Sequence, residues 1–435
     1  MLSLTLSLTP RTRSYCEWVG RLMMLTMLLM AAAPTMAAHP GDLLAIRARH
    51  LMTGSGETLE HAVLLLEDGK IVIVGEDLPI ERGIPVLELD EDQWVVPGLV
   101  NCYTRYGMRA SGYSDLRPNM KAVDELSLSR WSSISGMVRF GVTTAGIYPA
   151  GRGIPGQATV VCTSPGGSTS ELLSELVMRE TAYLKAIVGN TSTGKRYLRD
   201  GFNEADKWLE KEAKNREKYD KDKEKIEKEK DKDKKKEKLA ELGEYKPLPP
   251  SAKGQAFLDL RANKISLLAS INKSADYLHF LDALGEEEVD WDLRLPLSSE
   301  CDIYHVKDKI AESGARIIVE PMITLQRATL RQRNLPAELQ RAGAKLVLVP
   351  RRDSAMDDWF RDVGVMVGAG LDRDVALRAM TLEPADLLGV ADQVGSLEAG
   401  KEANLIVLSG DPFEANTKIV AVMARGRIAY GEDEL

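Results

Sequence analysis

Histidine is the scarcest chemical resource in this chain. His39, His50, His61, His279 and His305 are all it has across 435 residues. Neutral imidazole is the usual nitrogen ligand of zinc and the usual proton carrier near neutral pH. A site built on several histidines would therefore have to gather residues from distant parts of the sequence. Cysteine is equally sparse. Cys16, Cys102, Cys162 and Cys301 show no zinc-motif spacing and exclude a disulfide framework. They read as small buried apolar residues, or as the source of one bridge in an oxidising compartment. An excess of positive charge is absent too. The net charge of −8 removes the basic face that a nucleic-acid partner would need.

Long apolar runs are also missing, with one exception. Leu22 through Ala33 is a run of about a dozen residues, short of the roughly 20 that span a bilayer. Arg11, Arg13 and Arg21 precede it, and Pro34-Thr35-Met36-Ala37-Ala38 follows with small residues suited to cleavage. That order of basic, apolar and small residues describes a signal peptide over 1–38. The expected location is extracytoplasmic, periplasmic in a two-membrane cell, with no stable membrane span after cleavage.

What the chain does contain is a change of pattern along its length. Over 42–75, short apolar runs alternate with turns, and Asp68-Gly69 between two such runs predicts a hairpin. Similar runs return at 395–408 and 419–423. The two ends, 39–96 and 391–435, are thus expected to form one small composite β-sandwich. Between them, over 97–390, apolar strands alternate with helical segments, the pattern of a parallel sheet closed by crossovers. Candidate strands at 97–102, 142–147, 158–162, 183–188, 264–270, 293–297, 316–320 and 345–349 fit a distorted (β/α)8 barrel, a TIM barrel in the α/β class.

Residues 203–240 interrupt this pattern. From Glu204 to Lys238 there are 15 Lys/Arg and 13 Asp/Glu, so the charges nearly cancel and a polybasic membrane patch is disfavoured. Glu210/Lys214, Glu212/Arg216, Glu217/Lys221, Glu224/Lys228 and Asp231/Lys235 are acid-before-base pairs at helical spacing. A charged helix or helical hairpin standing off the barrel is expected, with 232–238 fraying into disorder. Such an arm could hold a protein partner.

The stretch Trp94-Val95-Val96-Pro97-Gly98-Leu99-Val100-Asn101-Cys102-Tyr103-Thr104-Arg105 resembles the first barrel strand of the amidohydrolase superfamily, P-G-[LI]-[IV]-D-x-H-x-H. Gly395–Pro412, GSLEAGKEANLIVLSGDP, is similar to that family's GSLEPGKDADLVVLDGDP, and Thr381–Val390, TLEPADLLGV, to its TxNPAxxLGL. Arg333–Asp353 and Gly370–Gly389 look most like the exported, imidazolonepropionase-related branch. The resemblance implies hydrolysis of non-peptide C–N bonds, in cyclic amides, with one or two divalent metals such as zinc at the barrel mouth.

The ligand positions are altered, however. Tyr103 and Arg105 stand where the resemblance places the H-x-H pair. A phenol is a poor ligand near neutral pH and a guanidinium has no lone pair to give. Lys185 falls at the bridging position of the fourth strand. The fifth and sixth strands carry no imidazole. Asp353, in Val349-Pro350-Arg351-Arg352-Asp353-Ser354, matches the catalytic aspartate, and Arg105, Arg351 or Arg352 would neutralise it. His305 follows the sixth strand and, with Cys301, Asp302 and Asp353, could form an improvised metal site. Gly151-x-Gly153-x-x-Gly156 fits the dinucleotide fingerprint only formally, since it precedes a strand.

Two readings follow. One is a degenerate, metal-free relative without a cofactor, a pseudoenzyme that binds a small molecule through Tyr103, Arg105, Lys185 and Arg352. The other is an active hydrolase with a rearranged site using Asp353 and His305.

Overall fold

The computed structural model describes residues 43–431 apart from 109–115, 127–130, 165–174, 190–191, 299 and 327. Residues 1–38, expected to be a signal peptide, lie outside the described residues. No described helix is long and apolar enough to cross a membrane.

The two chain ends share one eight-stranded sheet. Leu44–Met52 pairs antiparallel with Thr58–Glu67, which pairs with Lys70–Glu76. Asp68 and Gly69 turn this second hairpin with φ of +50° and +78°, the left-handed pair that a tight hairpin demands. On its other flank Leu44–Met52 runs parallel to Trp94–Pro97, which meets Leu405–Leu408 from the far end of the chain. Residues 395–404, expected to be strand, form a loop instead. That loop folds the sheet back on itself: Ile71 N donates to Lys401 O at 2.9 Å and Ala403 N to Gly69 O at 2.8 Å. Ile46, Leu64, Ile71, Leu405 and Val407 then face one apolar core.

The barrel strands follow as Leu99–Thr104, Val142–Ile147, a third described below, Tyr183–Ile187, Ser266–Ser270, Trp291–Leu295, Arg316–Val319 and Lys345–Leu348. The fourth to the eighth are all parallel neighbours, and the first and second pair in parallel. The third position breaks the expected pattern. Gly156–Gln157 and Thr159–Cys162 run antiparallel to Tyr183–Ile187 on one side and to Val142–Ile147 on the other. A connection of only eight residues, 148–155, follows the second strand. That is too short for a crossover helix, so the chain returns directly and runs in reverse. The barrel is distorted at this stave.

Side chains sort by a period of two, as a strand requires. Leu184, Ala186, Leu267, Ala269, Leu293, Ile317 and Leu346 face the surrounding helices. Val100, Cys102, Val160, Tyr183, Leu268, Ile318 and Val347 fill the interior with helix Leu382–Leu388. Asp292 and Arg316 lie on the inward register below that layer, where Arg316 Nη1 is 3.2 Å from Asp292 Oδ1 and its Nε donates to Asp386 at 3.0 Å.

The charged insert is a helical hairpin. Ser192–Glu227 begins against the barrel, burying Leu198, Phe202 and Ala205, and then continues into solvent. Of the expected pairs, Glu217–Lys221 and Glu224–Lys228 form. Glu212 instead accepts hydrogen bonds from Tyr245 and from Leu248 N. Residues 232–238 are not frayed, because Asp231 caps a helix over Lys232–Leu242 by accepting from Asp233 N at 3.1 Å and Lys234 N at 3.3 Å. A cap of this kind contributes about 1 kcal/mol.

The root of the arm depends on Gly201, where an added Cβ would lie 1.9 Å from Phe257 Cζ. Phe257 is fully buried and has no room to retreat. Gly201→Ala should therefore lower stability by about 1–3 kcal/mol in urea denaturation. An unchanged midpoint would show that the helix seats differently.

Candidate functional site

In a (β/α)8 barrel the side chains at the C-terminal strand ends converge on one mouth. Here the inward period of two brings Lys185, Arg294 and Glu320 to that end, just above Tyr183, Ile318 and Val347. Tyr103 joins them where the register of the first strand shifts between Asn101 and Thr104. Tyr103 stacks on Tyr148, which follows the second strand, with ring centroids 4.2 Å apart. Burial raises the pKa of both phenols. Both therefore keep their protons near neutral pH.

Lys185 is 5% exposed. Its Nζ sits 3.6 Å from the Tyr148 ring centroid and 4.9 Å from that of Tyr103. Burial, followed by repulsion from Arg105 and Arg294, pushes this amine down from 10.5 to about 7. Arg294, fully enclosed, lies 5.1 Å over the other part of the Tyr103 ring and makes a two-point ion pair with Glu320, one arm at 3.2 Å. Glu320 also accepts from Leu297 N at 2.8 Å. Each buried charge in this pair thus has its partner, as burial requires.

Asp353 joins the ends of the eighth and first strands. Oδ1 accepts from Thr104 Oγ1 at 2.6 Å and Oδ2 from the Arg105 backbone N at 3.2 Å. Among the described residues no strand ladder joins the eighth barrel strand to the first, and Asp353 links their ends across that seam. Of the arginines expected to neutralise it, Arg351 and Arg352 are exposed, and Arg105 reaches it through its backbone amide. His305 is exposed on the short turn Ile303–His305, tilted against Tyr304. Asp302 accepts from Ser274 N and Oγ at 3.0 and 3.1 Å, holding the start of helix Ser274–Leu284.

Among the described residues, no three His, Cys, Asp or Glu side chains converge as a metal site would require. The donors at the mouth do not suit a divalent metal. Glu320 is occupied by Arg294 and Asp353 by Thr104 and Arg105 N, and the remaining groups are two protonated phenols and cations.

The sequence reading found Tyr103, Arg105, Lys185 and Asp353 but missed Tyr148, Thr104, Arg294 and Glu320. The available signal was the period of two. Tyr183 and Lys185, Asp292 and Arg294, and Arg316, Ile318 and Glu320 place polar residues at every second position of strands that are otherwise apolar.

The comparisons with known proteins agree with this architecture. The sequence model of the Amidohydrolase family matches residues 326–430. An amidohydrolase from Thermotoga maritima superposes with a TM-score of 0.68 at 19% identity, over 89% of this chain and 99% of that one. An adenosine deaminase from Xanthomonas campestris, solved with bound zinc, gives a TM-score of 0.50 at 15% identity, over 90% of this chain and 94% of that one. A curated N-substituted formamide deformylase from Arthrobacter pascens is 45% identical over 58 residues, 12% of this chain and 11% of the relative. The chain thus matches only about a tenth of that relative's length.

The depressed Lys185 value has a consequence for stability. Between pH 7 and 10.5 the unfolded chain holds a proton on this amine that the folded chain has shed, so stability rises with pH across that window. The cost is full below about 7 and vanishes above 10.5. Lys185→Met should be more stable than the parent at neutral pH by about 2–4 kcal/mol. Denaturation at neutral pH and near the ordinary lysine value should show that advantage shrinking. A constant difference would contradict the assignment.

Proposed function

We propose that this chain is an exported, metal-free member of the amidohydrolase superfamily that binds a small carboxylate at the barrel mouth without hydrolysing it. The family model's match to 326–430 supports the membership. The observation that carries this reading is the replacement of the metal-binding pair by Tyr103 and Arg105, in a mouth whose carboxylates are both committed to protein partners. Hydrolysis of an amide at neutral pH needs an activated water, and the superfamily obtains it from a bound metal. Both carboxylates at this mouth, Glu320 and Asp353, are engaged with protein donors. The charges acting on Lys185 are those of Arg105 and Arg294, both positive, so an anion seated there relieves their repulsion.

Export rests on the residue order over 1–38. The arm, with its nearly balanced charge and its length in solvent, remains the proposed surface for a protein partner.

A hydrolytic reading draws on the 58-residue similarity to the formamide deformylase. It would need Asp353 as proton acceptor, and that carboxylate already holds the barrel seam. The support for binding is therefore stronger.

Arg105→Ala tests the proposal. Lactate titrated calorimetrically into the protein should bind, and the variant should bind it at least about tenfold more weakly, the effect of losing one charge-assisted contact. Equal affinities, or no binding by the parent protein, would refute the reading.

A further inference from the structure

Lys185 is hard to explain as a structural residue. It lies on an inward position of Tyr183–Ile187, yet among the described residues no carboxylate, carbonyl or hydroxyl contacts its amine. Its neighbours are two aromatic faces, at 3.6 and 4.9 Å, and two guanidinium charges that repel its protonated form. A methionine would fill the same space at lower cost. A buried amine kept neutral beside other cations is, however, a nucleophile.

We propose that Lys185 captures the carbonyl carbon of a small 2-oxo carboxylate as a covalent imine. The inference rests on the anion-binding reading above and gives it a substrate class. The groups that face the amine assign themselves to the steps. The positive charges of Arg105 and Arg294 favour a carbonyl compound that also carries a carboxylate over a neutral aldehyde. The Lys185 nitrogen lone pair attacks the carbonyl carbon, and the C=O π electrons move to oxygen. The stacked Tyr103–Tyr148 pair, both protonated, donates a proton to that oxygen. Loss of an N–H proton returns the phenol to its neutral form. The phenol pair then gives a proton to the carbinolamine hydroxyl. The C–O bond breaks as C=N forms so that one water leaves, and the remaining N–H proton returns to the phenol. The net change is amine plus ketone to imine plus water, with no oxidant or reductant. Glu320 is bound to Arg294 and Asp353 to the strand ends, so neither competes for the amine.

The chain supplies its own control. The lysines of the arm are nearly all exposed, and neighbouring carboxylates raise Lys207, Lys221 and Lys238, whereas Lys185 is lowered to about 7. Relative to a lysine at the usual value of about 10.4, Lys185 should react about a thousandfold faster per site.

The experiment is borohydride trapping with pyruvate on the intact protein, followed by whole-protein mass and peptide mapping. The expected result is one adduct per chain on Lys185, heavier by the probe less one oxygen. Its yield should fall as pH drops below about 7 and should vanish in Lys185→Arg. Because the mapping is done on the parent protein, it does not depend on the variant folding. Labelling spread over the arm lysines, or absent from Lys185, would overturn the inference. Lactate, which lacks the carbonyl, separates the two claims. Lactate binding without pyruvate trapping refutes imine formation and leaves anion binding intact; failure of both refutes both.

Discussion

Arg294 carries a full positive charge into the barrel interior, where taking an ion from water costs several kcal/mol. The architecture of the mouth depends on how that charge is held. Glu320, inward on the next strand, meets it at two points, and the Leu297 amide occupies the same carboxylate. Once this pair is fixed, the Tyr103 ring has a cation on it, Tyr148 stacks on Tyr103, and Lys185 closes over both rings. Burial, with the charges of Arg105 and Arg294 added to it, lowers the lysine amine to about 7. A metal-centred mouth is organised by ligands converging on an external ion. This mouth is organised by charges the chain brings with it.

Asp353 acts as a staple. It binds Thr104 and the Arg105 amide where the eighth strand must meet the first. A hydrogen bond to a charged acceptor contributes about 1.5–3 kcal/mol, which matters at a seam that, among the described residues, has no strand ladder. The resemblance implies a proton acceptor at this position, and fold alone does not decide which role a residue performs.

Much of the architecture was legible in the sequence because it is written in local signals. Eight apolar runs gave eight barrel positions, Asp68-Gly69 gave a hairpin, and the two ends were recognisable as parts of one β unit. The reversed third stave was not legible, since strand direction depends on the length of the return path and on partners distant in the chain. The helix over Lys232–Leu242 was missed because its composition suggests disorder while a single side chain, Asp231, caps it. At the mouth, a search for metal ligands led to Tyr103, Arg105, Lys185 and Asp353. Arg294 and Glu320 escaped it because a buried ion pair has no motif. It is visible only as two charged residues on inward positions of adjacent strands.

The central claim is that the chain's own charges occupy the mouth in place of a metal. The direct measurement is the zinc content of the purified chain after incubation with zinc and desalting. The account predicts well below one equivalent, about a tenth or less, a level at which metal-bound water cannot serve the whole population. About one tightly held equivalent, lost on Asp353→Asn, would contradict it and restore Asp353 to a site of hydrolysis.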